Sequence, residues 1–225
     1  MFDERVSLKK DSLDIALNID GIISYPENGN CTKSACIFPP HPKLGGDIDN
    51  NVVKTVSELL VSNSFLTGRF NYRGVGKSDM EVSGISLYDY WNALDTLGDF
   101  SSIISDSQFT TREIMRFSGT ESVTIVGYSF GTMIAAELCR QEYVSSCVLI
   151  SPPVSIYDYS CLSGFNGKIL FIIAENDLGV TKDETVALME KLGLNGTLEL
   201  IPGEDHFYRG SEGKICEFIS KFICS

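Results

Sequence analysis

The stretch from Ser122 to Gly131 constrains the fold of this chain more than any other segment. It reads SVTIVGYSFG. Its first half is apolar and β-branched, which suits a short buried strand. Residues 132–141, which follow it, are rich in helix-forming residues. The sequence therefore predicts a strand that turns at once into a helix, with a G-x-S-x-G pattern at the turn.

The spacing of the two glycines has a steric explanation. A strand that turns directly into a helix holds the middle residue, Ser129, in a strained backbone conformation. Side chains two positions to either side would collide, and Gly127 and Gly131 remove them. Ser129 Oγ is then exposed at the C-terminal edge of the sheet. The Phe130 amide lies at a helix N-terminus, where N–H groups are unpaired and favour negative charge. This nucleophile elbow predicts a nucleophile and half of an oxyanion hole.

Composition limits the classes of protein that the chain can belong to. Its 225 residues, 43% of them hydrophobic, suit one domain over residues 1–225. A net charge of -12 argues against electrostatic binding to nucleic acid or to an anionic membrane. The charged N-terminus predicts no signal peptide, and no apolar run approaches membrane-spanning length. Seven cysteines without a C-x-x-C pair indicate reduced thiols and a cytoplasmic location. With only two histidines, neither a metal nor a cofactor is expected.

Strands and helices are predicted to alternate along the chain, which indicates a mostly parallel sheet with helices on both faces. Predicted strands cover residues 34–38, 65–72, 123–126, 146–150, 167–174 and 197–201; predicted helices cover 47–62, 86–97, 132–141, 183–192 and 211–223. Apolar and polar residues alternate within residues 3–25, with Leu13 and Ile15 among the apolar ones. This predicts an antiparallel hairpin that turns at Asp20-Gly21. Residues 98–112 are polar and poorly periodic, so we expect an insertion or a mobile loop there.

The candidate catalytic residues follow from the rule that such sheets carry their site beyond the carboxyl ends of the strands. A serine hydroxyl needs a base to be nucleophilic at neutral pH. His206, just past the last strand, is placed to reach Ser129. An acid must then orient the imidazole. Asp177, at the end of the preceding strand, is our choice for this acid, with Glu175 and Asp183 as alternatives.

Taken together, these segments resemble the α/β-hydrolase superfamily over nearly the whole chain. The order serine, aspartate, histidine is the order of its triad. Residues 71–78 (NYRGVGKS) resemble its D-x-R-G-x-G-x-S loop. Residues 39–50 (PPHPKLGGDIDN) resemble the H-P-H-P-x-x-G-G-x-x-x-N stretch of small members without a cap. The resemblance implies a three-layer α/β fold with a twisted, mostly parallel sheet and an antiparallel N-terminal hairpin. Only a short segment separates the strands ending at Ile150 and starting at Gly167, so no lid domain is expected.

The second oxyanion amide should come from residues 39–46, where the sequence departs from the family pattern. Pro39-Pro40 replaces the first His-Pro, and prolines have no N–H. We assign the amide to His41, with Lys43 as the alternative. Four residues are predicted to contact the substrate: Lys43, Leu44, Tyr128 and Phe207.

The resemblance implies a serine hydrolase that cleaves a small carboxylic ester or thioester through an acyl-enzyme on Ser129. Its partner would be a small-molecule acyl substrate, without nucleic acid or membrane, and the oligomeric state is left open. Because the oxyanion loop departs from the pattern, a catalytically inert binding protein of the same fold is an alternative. Acyltransferase and peptidase activities are further alternatives.

Overall fold

The computed structural model describes residues 1–11 and 16–224 of the chain. These residues form one eight-stranded sheet, whose strands are β1 (Phe2–Asp11), β2 (Ala16–Tyr25), β3 (Lys33–Phe38), β4 (Phe65–Phe70), β5 (Val123–Tyr128), β6 (Val144–Ile150), β7 (Lys168–Ala174) and β8 (Thr197–Ile201). Their order in space is β1-β2-β4-β3-β5-β6-β7-β8. The β1–β2 and β2–β4 pairs are antiparallel, and every later pair is parallel. The predicted sheet, with its antiparallel N-terminal hairpin, is confirmed.

Helices cover both faces of the sheet. Within the described residues they are α1 (Asn51–Ser62), α2 (Leu87–Leu97), α3 (Ser101–Ser118), α4 (Phe130–Leu138), α5 (Lys182–Leu192) and α6 (Glu212–Cys224). On one face, Leu60 of α1 and Ile215 of α6 share a buried apolar cluster with the sheet. On the other, Trp91 of α2, Ile114 of α3 and Ile134 of α4 form a second cluster. The three-layer architecture expected from the sequence is therefore present.

The first helix begins where a side chain satisfies its free amides. Asn50 Oδ1 accepts hydrogen bonds from the amides of Val52 at 3.0 Å and Val53 at 3.3 Å. This cap starts α1 at Asn51, later than the predicted start at Asp47. Residues 47–50 therefore precede the helix and belong to the connection from β3.

The predicted turn of the N-terminal hairpin is wrong. Asp20 and Gly21 lie inside β2, opposite Ser7 and Val6 of β1. The Asp20 carboxylate is buried and accepts hydrogen bonds from Arg5 Nε at 2.9 Å and Arg5 Nη2 at 2.6 Å. The Asp-Gly pair therefore marks a buried carboxylate within a strand that pairs with a half-exposed arginine, although the same dipeptide is typical of hairpin turns.

Close packing explains the glycine of that pair. A Cβ on Gly21 would overlap the ring of Phe70 in the neighbouring strand. Residues 12–15, including Leu13 and Ile15 of the predicted strand, lie outside the described residues.

The predicted loop at residues 98–112 is also wrong, because most of this segment belongs to the 18-residue helix α3. Its inner face carries buried hydroxyl groups. Ser107 Oγ donates to the Ile103 carbonyl at 2.8 Å, and Thr111 Oγ1 donates to the Ser107 carbonyl at 2.7 Å. Each hydroxyl is satisfied by the preceding turn, so a polar face can be buried without unpaired donors. A search for apolar periodicity misses such a helix.

A short connection follows the carboxyl end of β6. Residues 151–167 connect β6 to β7 and contain one 3-10 turn, Ser160–Leu162. As expected, this connection is too short to form a lid domain. None of the helices in residues 1–11 and 16–224 combines the length and the apolar character needed to cross a bilayer.

Candidate active site

Ser129 occupies a sharp turn between β5 and α4. Its backbone angles are φ 54° and ψ -120°, a conformation that is uncommon for a residue other than glycine. A Cβ on Gly127 would overlap the carbonyl of Gly131, and a Cβ on Gly131 would overlap the carbonyl of Phe38. The two glycines therefore permit the turn for the steric reason that the sequence predicted.

The turn presents Ser129 to a histidine and an aspartate from two later loops. His206 Nε2 lies 3.0 Å from Ser129 Oγ, and His206 Nδ1 lies 2.7 Å from Asp177 Oδ2. A carboxylate only accepts hydrogen bonds, so Nδ1 carries the proton and Nε2 accepts from the serine hydroxyl. The structure thus brings together three side chains that are far apart along the chain, in a connected line of hydrogen bonds.

Asp177 is held as a buried anion. Its side chain is 1% exposed, and its second oxygen accepts the Gly179 amide at 3.0 Å. Burial by itself would raise the pKa of this carboxyl group. The hydrogen bond and charge of His206, with smaller contributions from Gly179 and Ser151, outweigh burial and leave the pKa below its ordinary value. An ionised Asp177 fixes the His206 tautomer that can accept the serine proton.

The alternative acids have other partners. Glu175 Oε2 accepts the Gly203 amide at 2.7 Å, and Asp183 lies in the first turn of α5. Asp205, the sequence neighbour of His206, accepts the Phe207 amide at 2.9 Å. Among the acids considered, Asp177 is the one that meets the imidazole.

Tyr128 contacts His206 and does not line the cleft in front of Ser129. It is buried, its hydroxyl donates to the His206 carbonyl at 2.6 Å, and the two rings stack with centroids 5.7 Å apart. Burial, with the nearby Asp177 and Asp205 carboxylates, raises the pKa of this phenol and keeps it a donor. The structure therefore places Tyr128 where it positions the histidine, and this differs from the substrate contact predicted from the sequence.

Phe207 also lies outside the cleft. Its ring is 54% exposed and meets the edge of the His206 ring at 5.8 Å. Lys43 and Leu44, the other two predicted substrate contacts, do line the cleft.

The loop after β3 lines the same cleft as Ser129 and keeps one backbone amide free. The amides of Leu44 and Gly46 donate to the His41 carbonyl at 2.9 and 3.1 Å, and the Gly45 amide donates to the Pro42 carbonyl at 3.0 Å. The Lys43 amide donates to His41 Nδ1 at 3.1 Å. Residues 39–46 are all described, and His41 has the only amide there that is not used within the loop. This favours His41 over Lys43 as the second oxyanion donor.

The imidazole of His41 holds this loop against two helices. Its Nε2 lies 3.0 Å from Asp95 Oδ1, and its ring meets the edges of Trp91 at 4.9 Å and Phe130 at 5.0 Å. Because Nδ1 accepts the Lys43 amide, Nε2 carries the proton. Burial lowers the pKa of His41. The attraction of Asp95 raises it, but not enough to bring it back to its ordinary value. A neutral His41 therefore links the loop to α2 and to the start of α4.

The cleft in front of Ser129 has a volume of about 750 Å³. Sequence reasoning missed most of the residues that line it. They include Asp95, Phe100, Ile104, Met133, Glu137, Ile156 and Tyr157. Met133 and Glu137 could have been found, because they follow Ser129 at helical spacing on a predicted helix. The others come from α2, from the α3 region that was expected to be a loop, and from the connection after β6.

In the part of the chain that the structure describes, no group of three or more His, Cys, Asp or Glu side chains is arranged to hold a metal ion. Around Ser129 the described residues provide a hydroxyl group, an imidazole in hydrogen-bond contact with it and a backbone amide that the loop after β3 does not use.

The fold and this site define a protein of the α/β hydrolase class. A family model described as alpha/beta hydrolase fold matches residues 45–160, just over half of the chain. The chain therefore belongs to the α/β hydrolase fold family. The matched segment includes Ser129, whereas Asp177 and His206 lie beyond it.

Similar proteins come from several bacteria. An uncharacterized protein of Rickettsia prowazekii (strain Madrid E) is 28% identical over 200 residues, which cover 84% of this chain and 77% of that protein. An alpha-beta serine hydrolase homologue from Coxiella burnetii superposes with a TM-score of 0.79 at 22% identity, covering 96% of both chains. A serine hydrolase without a lid from Xanthomonas campestris gives 0.77 at 20% identity, covering 98% of this chain and 94% of that one. At these identities the two structures establish the shared fold.

Proposed function

We propose that the protein is a serine hydrolase that cleaves a small carboxylic ester or thioester through an acyl-enzyme on Ser129. In this mechanism His206 takes the proton of the Ser129 hydroxyl as Oγ attacks the substrate carbonyl carbon. His206 then gives that proton to the leaving alcohol or thiol. Water, activated by the same imidazole, hydrolyses the acyl-enzyme. Asp177 keeps the imidazole in the required tautomer and stabilises it when it is charged.

The observation that carries the proposal is the line of hydrogen bonds from Ser129 Oγ through His206 to Asp177, with distances of 3.0 and 2.7 Å. Backbone strain at Ser129 and burial of the Asp177 carboxylate both cost free energy. Features of this kind cluster at functional sites. The Phe130 and His41 amides support the same function, because both can donate to the oxyanion of a tetrahedral intermediate. Each such donor is worth roughly 3 kcal/mol.

The shape of the site supports a small-molecule acyl substrate or a surface-presented acyl group. No lid domain follows β6, so the cleft is open along the edge of the sheet. Membership of the α/β hydrolase fold family supports a hydrolase. The similar structures from Coxiella burnetii and Xanthomonas campestris, whose names include serine hydrolase, support it as well. The choice of ester or thioester, and a cytoplasmic location suggested by seven unpaired cysteines, are parts of the proposal.

The test is steady-state hydrolysis of p-nitrophenyl butyrate and of the butyryl thioester of N-acetylcysteamine. Ser129→Ala should lower kcat by about 10⁴-fold or more, because the triad acts as a unit. Ser64→Ala is a matched control: Ser64 also has a positive φ, of 65°, but precedes β4 at the opposite edge of the sheet. Both variants should fold, as checked by circular dichroism.

Three results separate the candidate functions. Loss of activity in Ser129→Ala alone supports the proposal. A wild-type protein that is folded but inactive on both substrates, and that no acyl donor modifies, would indicate the inert binding protein. Ester consumption that yields a new ester or amide in place of the free acid would indicate an acyltransferase.

A further inference from the structure

The cleft extends from Ser129 along one side of helix α4. Phe130, Met133 and Glu137 all line it. They are three and four residues apart and therefore lie on the same face of the helix. Phe100, Ile104 and Tyr157 line the same cleft. Phe100 and Tyr157 both pack edge-on against Phe130, at 5.2 and 5.6 Å between ring centroids. These apolar side chains form one strip of the cleft, whereas Lys43, Asp95, Asp99 and Asp158 line other parts of it.

The direction of proton transfer identifies which half of a substrate enters this part of the cleft. The leaving group must lie next to His206 Nε2, because that atom gives it a proton. His206 does not line the cleft, and neither do its neighbours Asp177 and Phe207. The oxyanion faces the amides of the loop after β3 and of α4. The fourth substituent of the tetrahedral carbon is the acyl chain, and the apolar strip of the cleft is the space left for it.

Glu137 ends the apolar surface. Its carboxylate is 26% exposed and pairs with Arg140 Nε at 2.9 Å. A hydrocarbon chain that reached it would have to remove water from an ion pair, which is unfavourable. From Phe130 to Glu137 the helix rises by about 10 Å. An extended chain advances about 1.2 Å per bond, so about eight carbon atoms fill this length.

We propose that the protein prefers straight medium-length acyl groups of about eight carbons, bound between α3 and α4, and that Glu137 sets the length limit. This inference rests on the proposed function, because it requires an acyl-enzyme on Ser129. Each buried methylene should raise kcat/KM about fourfold until the chain reaches Glu137. Acyl chains longer than about eight carbons should have a lower kcat/KM.

The test is the ratio of kcat/KM values for p-nitrophenyl acetate, butyrate, hexanoate, octanoate and laurate. Wild type should rise at least a hundredfold from acetate to octanoate, which differ by six methylenes, and fall at laurate. Glu137→Leu should raise the laurate-to-octanoate ratio by about tenfold, because an apolar side chain replaces the carboxylate. Met133→Trp should fill the cleft near the nucleophile and reduce octanoate hydrolysis at least tenfold more than acetate hydrolysis.

A matched control comes from α3. Glu113 also forms an ion pair with the arginine three residues later, at 2.7 Å and with 23% exposure, but does not line the cleft. Glu113→Leu should therefore show the same dependence of kcat/KM on acyl length as wild type. A second series of acetate esters with alcohols of increasing length tests the assignment to the acyl half, and Glu137→Leu should leave that series unchanged.

The outcomes are distinct. A flat acyl-length profile in an active enzyme, or a Glu137→Leu effect confined to the alcohol series, would overturn the inference and leave the serine hydrolase intact. If no ester is hydrolysed and Ser129 is not acylated, the proposed function fails and the inference fails with it.

Discussion

Backbone strain in the described residues is concentrated around the candidate triad of Ser129, His206 and Asp177. Apart from glycines, four of these residues have a positive φ, namely Ser64, Ser129, Ser151 and Tyr208. Ser151 and Tyr208 join through their hydroxyls at 2.6 Å, and Ser151 contributes to the low pKa of Asp177. Three of the four strained residues thus lie at or beneath the candidate triad. Such strain persists where the surrounding structure fixes a functional geometry.

At the residue scale, His41 tests how the oxyanion amide is positioned. His41→Ala keeps the backbone amide but removes the ring that accepts the Lys43 amide and contacts Asp95. We expect kcat for ester hydrolysis to fall by about tenfold or more, with little change in KM, because a displaced donor stabilises the transition state less. Steady-state kinetics on p-nitrophenyl butyrate measures this.

His41→Asn is the conservative comparison for that experiment. An asparagine oxygen can still accept an amide two residues along the chain, so this variant should lose less activity than His41→Ala. Equal and unchanged kcat values in both variants would show that the loop does not depend on the ring.

Part of this residue-scale geometry could be predicted from the sequence, and part could not. Ser129, Asp177 and His206 follow β5, β7 and β8, and parallel strands end at a common edge, so their meeting was predictable. The support from Tyr128 and Asp95 was not predictable, because Tyr128 at the end of β5 and Asp95 on α2 contact loops that are distant from them in sequence. Their positions depend on tertiary packing, which local patterns do not encode.

At the element scale, the two errors share a physical cause. Pattern reading assigns polar residues to turns and loops, yet Asp20 and the hydroxyls of α3 are buried with partners. Asp20 is paired with Arg5, and the α3 hydroxyls are satisfied by their own helix. The strands and the other helices were predicted because their inward faces are apolar.

The helix α3 is tied to the sheet by a partly buried ionic network, which gives a prediction at this scale. Asp106 accepts from Arg73 Nε at 2.6 Å and from Lys10 Nζ at 2.8 Å. Asp106→Ala leaves the Arg73 guanidinium, 11% exposed, with Glu81 as its remaining carboxylate partner. We expect the free energy of unfolding to fall by about 2 kcal/mol, because the partly buried hydrogen bonds that Asp106 accepts from two charged donors are lost while Glu81 still compensates the charge of Arg73. Urea denaturation measures the change.

Glu113→Ala provides the comparison on the same helix. It breaks an exposed pair with Arg116, and such pairs contribute roughly 0–1 kcal/mol. Similar losses in the two variants would contradict a structural role for the Asp106 network.

At the scale of the whole molecule, buried carboxylates make the fold sensitive to acid. Burial would raise the pKa of Asp20, but its bonds to Arg5, Lys77 and Asn71 outweigh this and lower it. The pKa of Asp177 is lowered in the same sense. In the unfolded chain both groups return to about 3.9. Their stabilisation is therefore complete above about pH 4 and is lost as the pH falls through the lower, folded-state values.

Urea unfolding at pH 7 and pH 3 tests this linkage. Wild type should lose stability between the two, and Asp20→Asn should be less stable than wild type at pH 7 by an amount that shrinks at pH 3. A difference that stays constant with pH would show that Asp20 is not ionised in the fold.

The prediction that residues 1–225 form one domain can be checked in the same experiment, since one domain should unfold in a single transition.

The most direct measurement is the mass of the intact protein after reaction with a fluorophosphonate, followed by peptide mapping of the modified residue. One adduct should form on the peptide that contains Ser129, its formation should be much slower in His206→Ala, and it should be absent in Ser129→Ala. A protein that remains unmodified while folded, or an adduct that persists in Ser129→Ala, would contradict Ser129 as a nucleophile activated by His206.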